Sequence, residues 1–228
     1  MPEARPAIES VAPATWRLRL KGVNAYALAT DAGTVLVDAG NPGDAPRILG
    51  ALTAAGLRPP RTILLTHADV DHAGGVRGLL RQCSPLPRVL APAGEAEVLA
   101  GRGHPRPLRR LTRLMTGRLR CDATFADGDA LPGGLTAVAT PGHTPGHCSL
   151  WRAGDGTLFA GDALIVREGA VALPARAFTE DAGAARASLA RLAALQPRLL
   201  LPGHGAPLPG PAAALQAALA ALGAGERG

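Results

Sequence analysis

The sequence predicts an α/β fold. Two strand-rich blocks each give way to helix, short apolar strands alternate with amphipathic helices between them, and no apolar run is long enough to span a bilayer. The first block is "TWRLRLKG", "VNAYALAT" and "GTVLVDAG", β-type segments in which Asp31–Gly33 makes the turn between the last two, so an antiparallel meander is expected. In "DAPRILGALTAAG", Ile48, Leu49 and Leu52 fall at helical spacing and Gly56 supplies a stop. A strand "TILLT", a helix from about Asp71 to Gln82, a strand "RVLAP" and a short helix in "AGEAEVLAG" follow. Strands resume at "GLTAVATP", "CSLWRA" and "GTLFAGD". After them "TEDAGAARASLARLAALQP" reads as a helix with Thr179 as its cap and Pro197 beyond its end, then a strand "RLLLP" and a helix over 211–222. A length of 228 residues suits one domain, although the two blocks suggest related halves.

Composition restricts the function. The net charge of +6 rests on 23 arginines against the single Lys21, a bias spread over the whole chain, so it does not by itself indicate a nucleic-acid partner. Three widely spaced cysteines, Cys83, Cys121 and Cys148, form neither a disulfide framework nor a CxxC metal site. The opening residues have no basic start and no apolar signal core. A soluble cytoplasmic protein without membrane attachment is the expectation. Residues 101–121 stand apart: seven arginines, no acid, and an apolar stripe of Leu108, Leu111, Leu114 and Met115 suggest a basic amphipathic helix.

The chemistry is concentrated where strands give way to loops. "THADVDHAGG" places His67, Asp69, Asp71 and His72 just after a strand; "TPGHTPGHCSL" carries His143 in a Pro-Gly turn; "FAGDAL" sets Asp162 directly after a strand, and "LLLPGHG" does the same for His204. Imidazole and carboxylate are the donors of catalytic divalent metals, and such sites need converging side chains on loops with one coordination position open. An isolated H-x-D-x-D-H would serve equally well as a polar helix start, but three further motifs of the same kind shift the reading toward metal. His147 reads either as a spare ligand or as a packing residue behind the site. Cys148 is expected to lie buried in its strand, and His104 in a loop.

H-x-D-x-D-H-x-G-G, then T-P-G-H-T-P-G-H, then G-D after an apolar strand, then G-H-G, resembles the metallo-β-lactamase superfamily from Val35 to His204. The resemblance implies a four-layer αββα sandwich of two mixed sheets with helices outside. It implies a first metal held by His67, position 69 and His143, a second held by Asp71, His72 and His204, and Asp162 bridging them. Asp38 in "LVDAGNPG" is similar to the aspartate that supports the metal loops in that family. This chain departs from the commonest pattern at Asp69, where histidine is usual; an ionised aspartate there cancels positive charge and should make a bridging hydroxide less acidic. Zinc is the first expectation for the two metals, with iron or manganese as alternatives that oxygen-rich ligation admits beside it.

The implied reaction is hydrolysis by a metal-bridging hydroxide, with either a metal-bound water or Asp71 returning a proton to the leaving group. The G-D motif resembles glyoxalase II-like and lactonase-like members and is unlike true β-lactamases, so a small-molecule ester, thioester or lactone is the expected substrate. A phosphodiesterase of the same fold is the runner-up, and a non-catalytic metal-binding regulatory module is the alternative of another class. The short segment after His204 leaves no room for the helical substrate domain of a full glyoxalase II. Residues 101–121 are either a solvated helix made basic by the general arginine bias or a candidate lid in which Arg109, Arg110 and Arg113 would face an anionic substrate.

Overall fold

In a computed structural model, residues 8–102 and 117–224 are described. The chain forms two compact units: one runs to Ala91 and takes in Ala96–Ala123, and the other holds Pro92–Glu95 and the chain from Thr124 onward. The candidate lid lies mostly outside the described residues, with Arg109, Arg110 and Arg113. The flanking parts of that segment that are described, 101–102 and 117–121, are irregular.

In the first unit, β2 (Thr15–Arg19), β3 (Asn24–Thr30) and β4 (Gly33–Val37) form the expected antiparallel meander, and a strand not read from the sequence, β1 (Ile8–Ala12), pairs antiparallel with β2 at its start. After α1 (Ala45–Ala54) the chain returns as β5 (Pro60–Leu64), parallel to β4, and then as β6 (Arg88–Pro92), parallel to β5. With β7 (Ala123–Phe125) these strands make a seven-stranded sheet whose spatial order is the chain order. Ile48 and Leu52 of α1 join Leu36, Ile63 and Leu79 in one buried apolar cluster. The parallel pairing of β4 and β5 brings their C-terminal ends side by side, so the residues after each strand become neighbours.

The helix expected over 71–82 is two helices, α2 (Val70–Ala73) and α3 (Val76–Gln82). Gly74 and Gly75 separate them where the loop after β4 presses against their backbone. A Cβ on Gly75 would lie 2.0 Å from the Ala39 carbonyl oxygen, and one on Gly74 would lie 2.3 Å from the Pro42 ring. The periodicity continued through this break because it records only apolar spacing. The interruption is imposed by a distant loop.

The second unit has a six-stranded sheet in the order β15-β14-β11-β10-β9-β8. Its strands are β8 (Ala130–Leu131), β9 (Leu135–Ala139), β10 (Cys148–Arg152), β11 (Thr157–Gly161), β14 (Leu199–Pro202) and β15 (Leu208–Pro209). Between β11 and its parallel neighbour β14 run a hairpin, β12 (Ile165–Arg167) and β13 (Ala170–Ala172), and helix α5 (Ala182–Ala194). Here too the parallel pair aligns two C-terminal ends, those that precede Asp162 and His204. Leu189 and Leu192 of α5 pack with Leu158, Leu200 and Leu215, the last from α6 (Ala212–Ala224). The cap of α5 is Asp181, not Thr179: the Asp181 carboxylate accepts the Ala184 N–H at 2.9 Å, whereas the Thr179 hydroxyl donates to the Pro174 and Ala175 carbonyls. α4 (Ala93–Leu99) completes the elements.

Candidate metal centre

In the first unit, Asp38 organises the histidine pair. It follows β4 in the left-handed region at φ 60°, unusual for a residue with a side chain, and is 3 % exposed. Its carboxylate accepts the Thr66 N–H at 2.8 Å, the Thr66 hydroxyl at 2.9 Å and the His72 Nδ1–H at 2.8 Å. The single hydroxyl hydrogen of Thr66 goes to Asp38, so in the 2.9 Å bond between Thr66 Oγ1 and His67 Nδ1 the imidazole is the donor. One carboxylate thereby sets the same tautomer in both rings, directly for His72 and through Thr66 for His67. Nε2 is left in each ring as the nitrogen that would take a metal. Both rings are fully buried, with centroids 4.1 Å apart.

Asp69 and Asp71 stand beside these nitrogens. Asp69 Oδ2 lies 3.7 Å from His67 Nε2 and Asp71 Oδ2 lies 3.9 Å from His72 Nε2. Asp69 occupies the N-cap position of α2, and its side chain makes no cap hydrogen bond. Side-chain exposures of 21 % for Asp69 and 30 % for Asp71 leave both carboxylates within reach of solvent.

The second unit carries the remaining three. His143 sits on the loop after β9, a loop tied to the start of α5 by the Glu180 and Asp181 N–H groups, which both donate to the Gly142 carbonyl. Asp162 directly follows β11, and His204 follows β14. Asp162 Oδ2 is 3.5 Å from His143 Nε2 and 3.2 Å from His204 Nε2, so one carboxylate oxygen serves both imidazoles. Gly205 is required behind His204: its φ is 103°, and a Cβ there would lie 1.8 Å from the Val166 carbonyl oxygen.

Ligand atoms about 2.0–2.2 Å from a tetrahedral metal stand about 3.4 Å from one another. The four imidazole–carboxylate separations, 3.2–3.9 Å, are of that kind, and three of the four exceed hydrogen-bond length. Each pair is therefore spaced as two ligands of one divalent ion would be.

Some contributors were not picked out from sequence. Thr66 and Thr140 each lie next to a ligand motif, but a hydroxyl there has no spacing signature. Glu95, 2 % exposed, accepts the Gly146 N–H at 3.1 Å and braces the loop between His143 and His147, and nothing in its sequence neighbourhood marks it.

Imidazoles and carboxylates held at ligand spacing on strand-end loops define a metal-binding α/β protein. The sequence profile of the metallo-beta-lactamase superfamily matches residues 18–204, and the chain belongs to that superfamily of metallo-hydrolases and has its fold. It is 37 % identical over 128 residues to the hydroxyacylglutathione hydrolase of Methylobacillus flagellatus, covering 55 % of this chain and 42 % of that enzyme. The chain thus spans less than half the length of that relative. A motif-mutant metallo-beta-lactamase from Cronobacter sakazakii has a TM-score of 0.76 at 27 % identity over 96 % of this chain and 98 % of that one. TTHA1623, solved in a di-iron-bound form, has a TM-score of 0.66 at 29 % identity over 83 % of this chain and 91 % of that one.

Proposed function

We propose that this protein is a binuclear metal-dependent hydrolase of a small ester, thioester or lactone. The observation that carries the reading is the set of four imidazole–carboxylate pairs at ligand spacing, with one Asp162 oxygen shared by His143 and His204. In this reading both units act as one domain. His67, Asp69 and His143 would hold one metal and Asp71, His72 and His204 the other, with Asp162 available to both. Zinc is the proposed metal, with iron next, in line with the di-iron form of TTHA1623. When bound, the metals supply Lewis acidity that activates water and polarises the scissile carbonyl.

The chain's own residues do the rest. Asp38 and Thr66 keep Nδ1 of His72 and His67 protonated, so that Nε2 faces the reacting side. Asp71, the more exposed of the two carboxylates in the motif, would take the proton lost by the attacking water on its second oxygen, Oδ1, and pass it to the leaving group. The match to a hydroxyacylglutathione hydrolase supports the thioester class, and the retained Asp162 supports an ester, thioester or lactone over a β-lactam. Three free cysteines suit a reducing cytoplasm, and no helix among the described residues is long and apolar enough to cross a membrane. The candidate lid arginines, Arg109, Arg110 and Arg113, are proposed to favour an anionic substrate.

The test is metal analysis of the purified protein, followed by a panel of p-nitrophenyl esters, acyl thioesters, lactones and bis-p-nitrophenyl phosphate. Two equivalents of metal and chelator-sensitive hydrolysis of a carbonyl substrate are expected. Turnover of the phosphodiester alone would overturn the carbonyl assignment, and bound metal without turnover of any substrate would make the protein a binding module.

A further inference from the structure

Behind the loops of the second unit runs a closed ring of hydrogen bonds. The Asp162 backbone N–H donates to His147 Nε2 at 3.0 Å. That nitrogen therefore carries no hydrogen, and the ring's hydrogen sits on Nδ1, 2.8 Å from Thr140 Oγ1, to which it donates. Thr140 Oγ1 also accepts the Ser149 N–H at 2.9 Å, and the Ser149 hydroxyl donates to the Ala160 carbonyl at 3.0 Å. The Thr140 hydroxyl is left to donate to Ser149 Oγ at 3.0 Å. The path leaves β11 at Asp162, crosses His147 and Thr140 at the facing ends of β10 and β9, and returns to β11 at Ala160. His147, Thr140 and Ser149 are each no more than 1 % exposed. Water does not compete for these bonds, and their directions are set.

We propose that His147 is a positioning residue for Asp162, acting as acceptor of its backbone N–H, and not a metal ligand. Both ring nitrogens are committed, Nε2 to an amide that cannot release its hydrogen and Nδ1 to a hydroxyl already oriented by Ser149. What His147 fixes is the backbone at the residue whose carboxylate oxygen lies between His143 and His204. The inference goes beyond the hydrolase reading but rests on it for the purpose of the positioning.

Two substitutions separate the ring's functions, since Gln places an oxygen near the Nε2 position and Asn places an amide nitrogen near the Nδ1 position. H147Q keeps an acceptor for Asp162, and H147N keeps only the donor to Thr140. Zinc affinity, read by competition with a chromogenic chelator, should stay near the native value in H147Q and fall about 10- to 100-fold in H147N. Equal losses in both variants would overturn the proposal, as would losses that follow only the melting temperature. A second measurement needs neither metal nor substrate. The imidazole nitrogen spectrum of the metal-free native protein should show His147 with its hydrogen on Nδ1, and the Asp162 amide proton should keep its downfield shift in H147Q and lose it in H147N. A hydrogen on Nε2, or an Asp162 amide that responds alike to both variants, overturns the assignment. A native protein that binds no metal while these spectra hold would sink the hydrolase reading and leave the amide acceptor role standing.

Discussion

Single side chains give the sharpest tests. Asp162→Ala removes the one oxygen near both His143 and His204, and with it the negative charge that would hold two cations together. Metal analysis should find the second equivalent lost and turnover nearly abolished; two retained equivalents with full activity would refute the bridging role. Asp69→His restores the commoner donor beside His67, so zinc should bind more tightly at the first site in a competition assay, and an unchanged affinity would argue against direct ligation by Asp69. Asp38→Asn leaves one carbonyl oxygen to replace a carboxylate that accepts three hydrogen bonds. The His72 tautomer is then no longer imposed, and metal affinity should drop about 10- to 100-fold. The seven candidate ligands could be singled out in the sequence because they gather in short motifs after strands, His67 and Asp69 on the loop after β5 with Asp71 and His72 in the helix α2 that follows it. Thr66, Thr140 and Glu95 were not legible, because their value comes from partners that only the folded chain supplies.

Most secondary elements were legible in proportion to their length, but β1 was missed because its five residues, IESVA, show no apolar alternation. The meander, α1, β6, β9–β11 and α5 each carry enough apolar positions to reveal a period. β7, β8, β12, β13 and β15 have two or three residues and cannot. The break between α2 and α3 was hidden for a different reason: helix-compatible spacing runs through it, and the loop at Ala39 decides. Gly75→Ala tests that account, because the added methyl meets the Ala39 carbonyl at a distance no real Cβ tolerates and must displace the backbone that carries Asp38. The expected loss is roughly 1–3 kcal/mol, the usual range for overpacking, measured by urea unfolding, together with weaker metal binding. A variant as stable as the native protein would show that the two backbones are not held in contact.

For the molecule as a whole, the buried thiols of Cys83 and Cys148 and the half-buried thiol of Cys121 bear on alkaline stability. Burial pushes the Cys148 thiol up to about 12, with the charges of Asp127 and Glu95 adding, and the Cys121 thiol up to about 11, with Asp122 adding. Burial raises Cys83 and the Tyr26 hydroxyl as well. In the unfolded chain cysteine ionises near about 8.5, so above that pH the unfolded state has released protons that the folded state keeps. This contribution to stability is complete below about pH 8.5 and is lost as pH rises toward about 11 and then 12. Unfolding midpoints should fall over that interval, and iodoacetamide should label the native protein slowly. A midpoint that holds level would contradict the burial of these thiols.

The seven-stranded sheet of the first unit has one further consequence, for synthesis on the ribosome. Its spatial order repeats its chain order, so every new strand can dock on the edge left by the strand before it, with only one short helix between β4 and β5. Growth at a single edge requires no earlier strand to wait for a later one. The pairing of β4 with β5, which brings Asp38 to Thr66, can therefore form while the downstream chain is still being made, and the acidic clasp behind His67 and His72 can be in place before His143 and His204 have been translated.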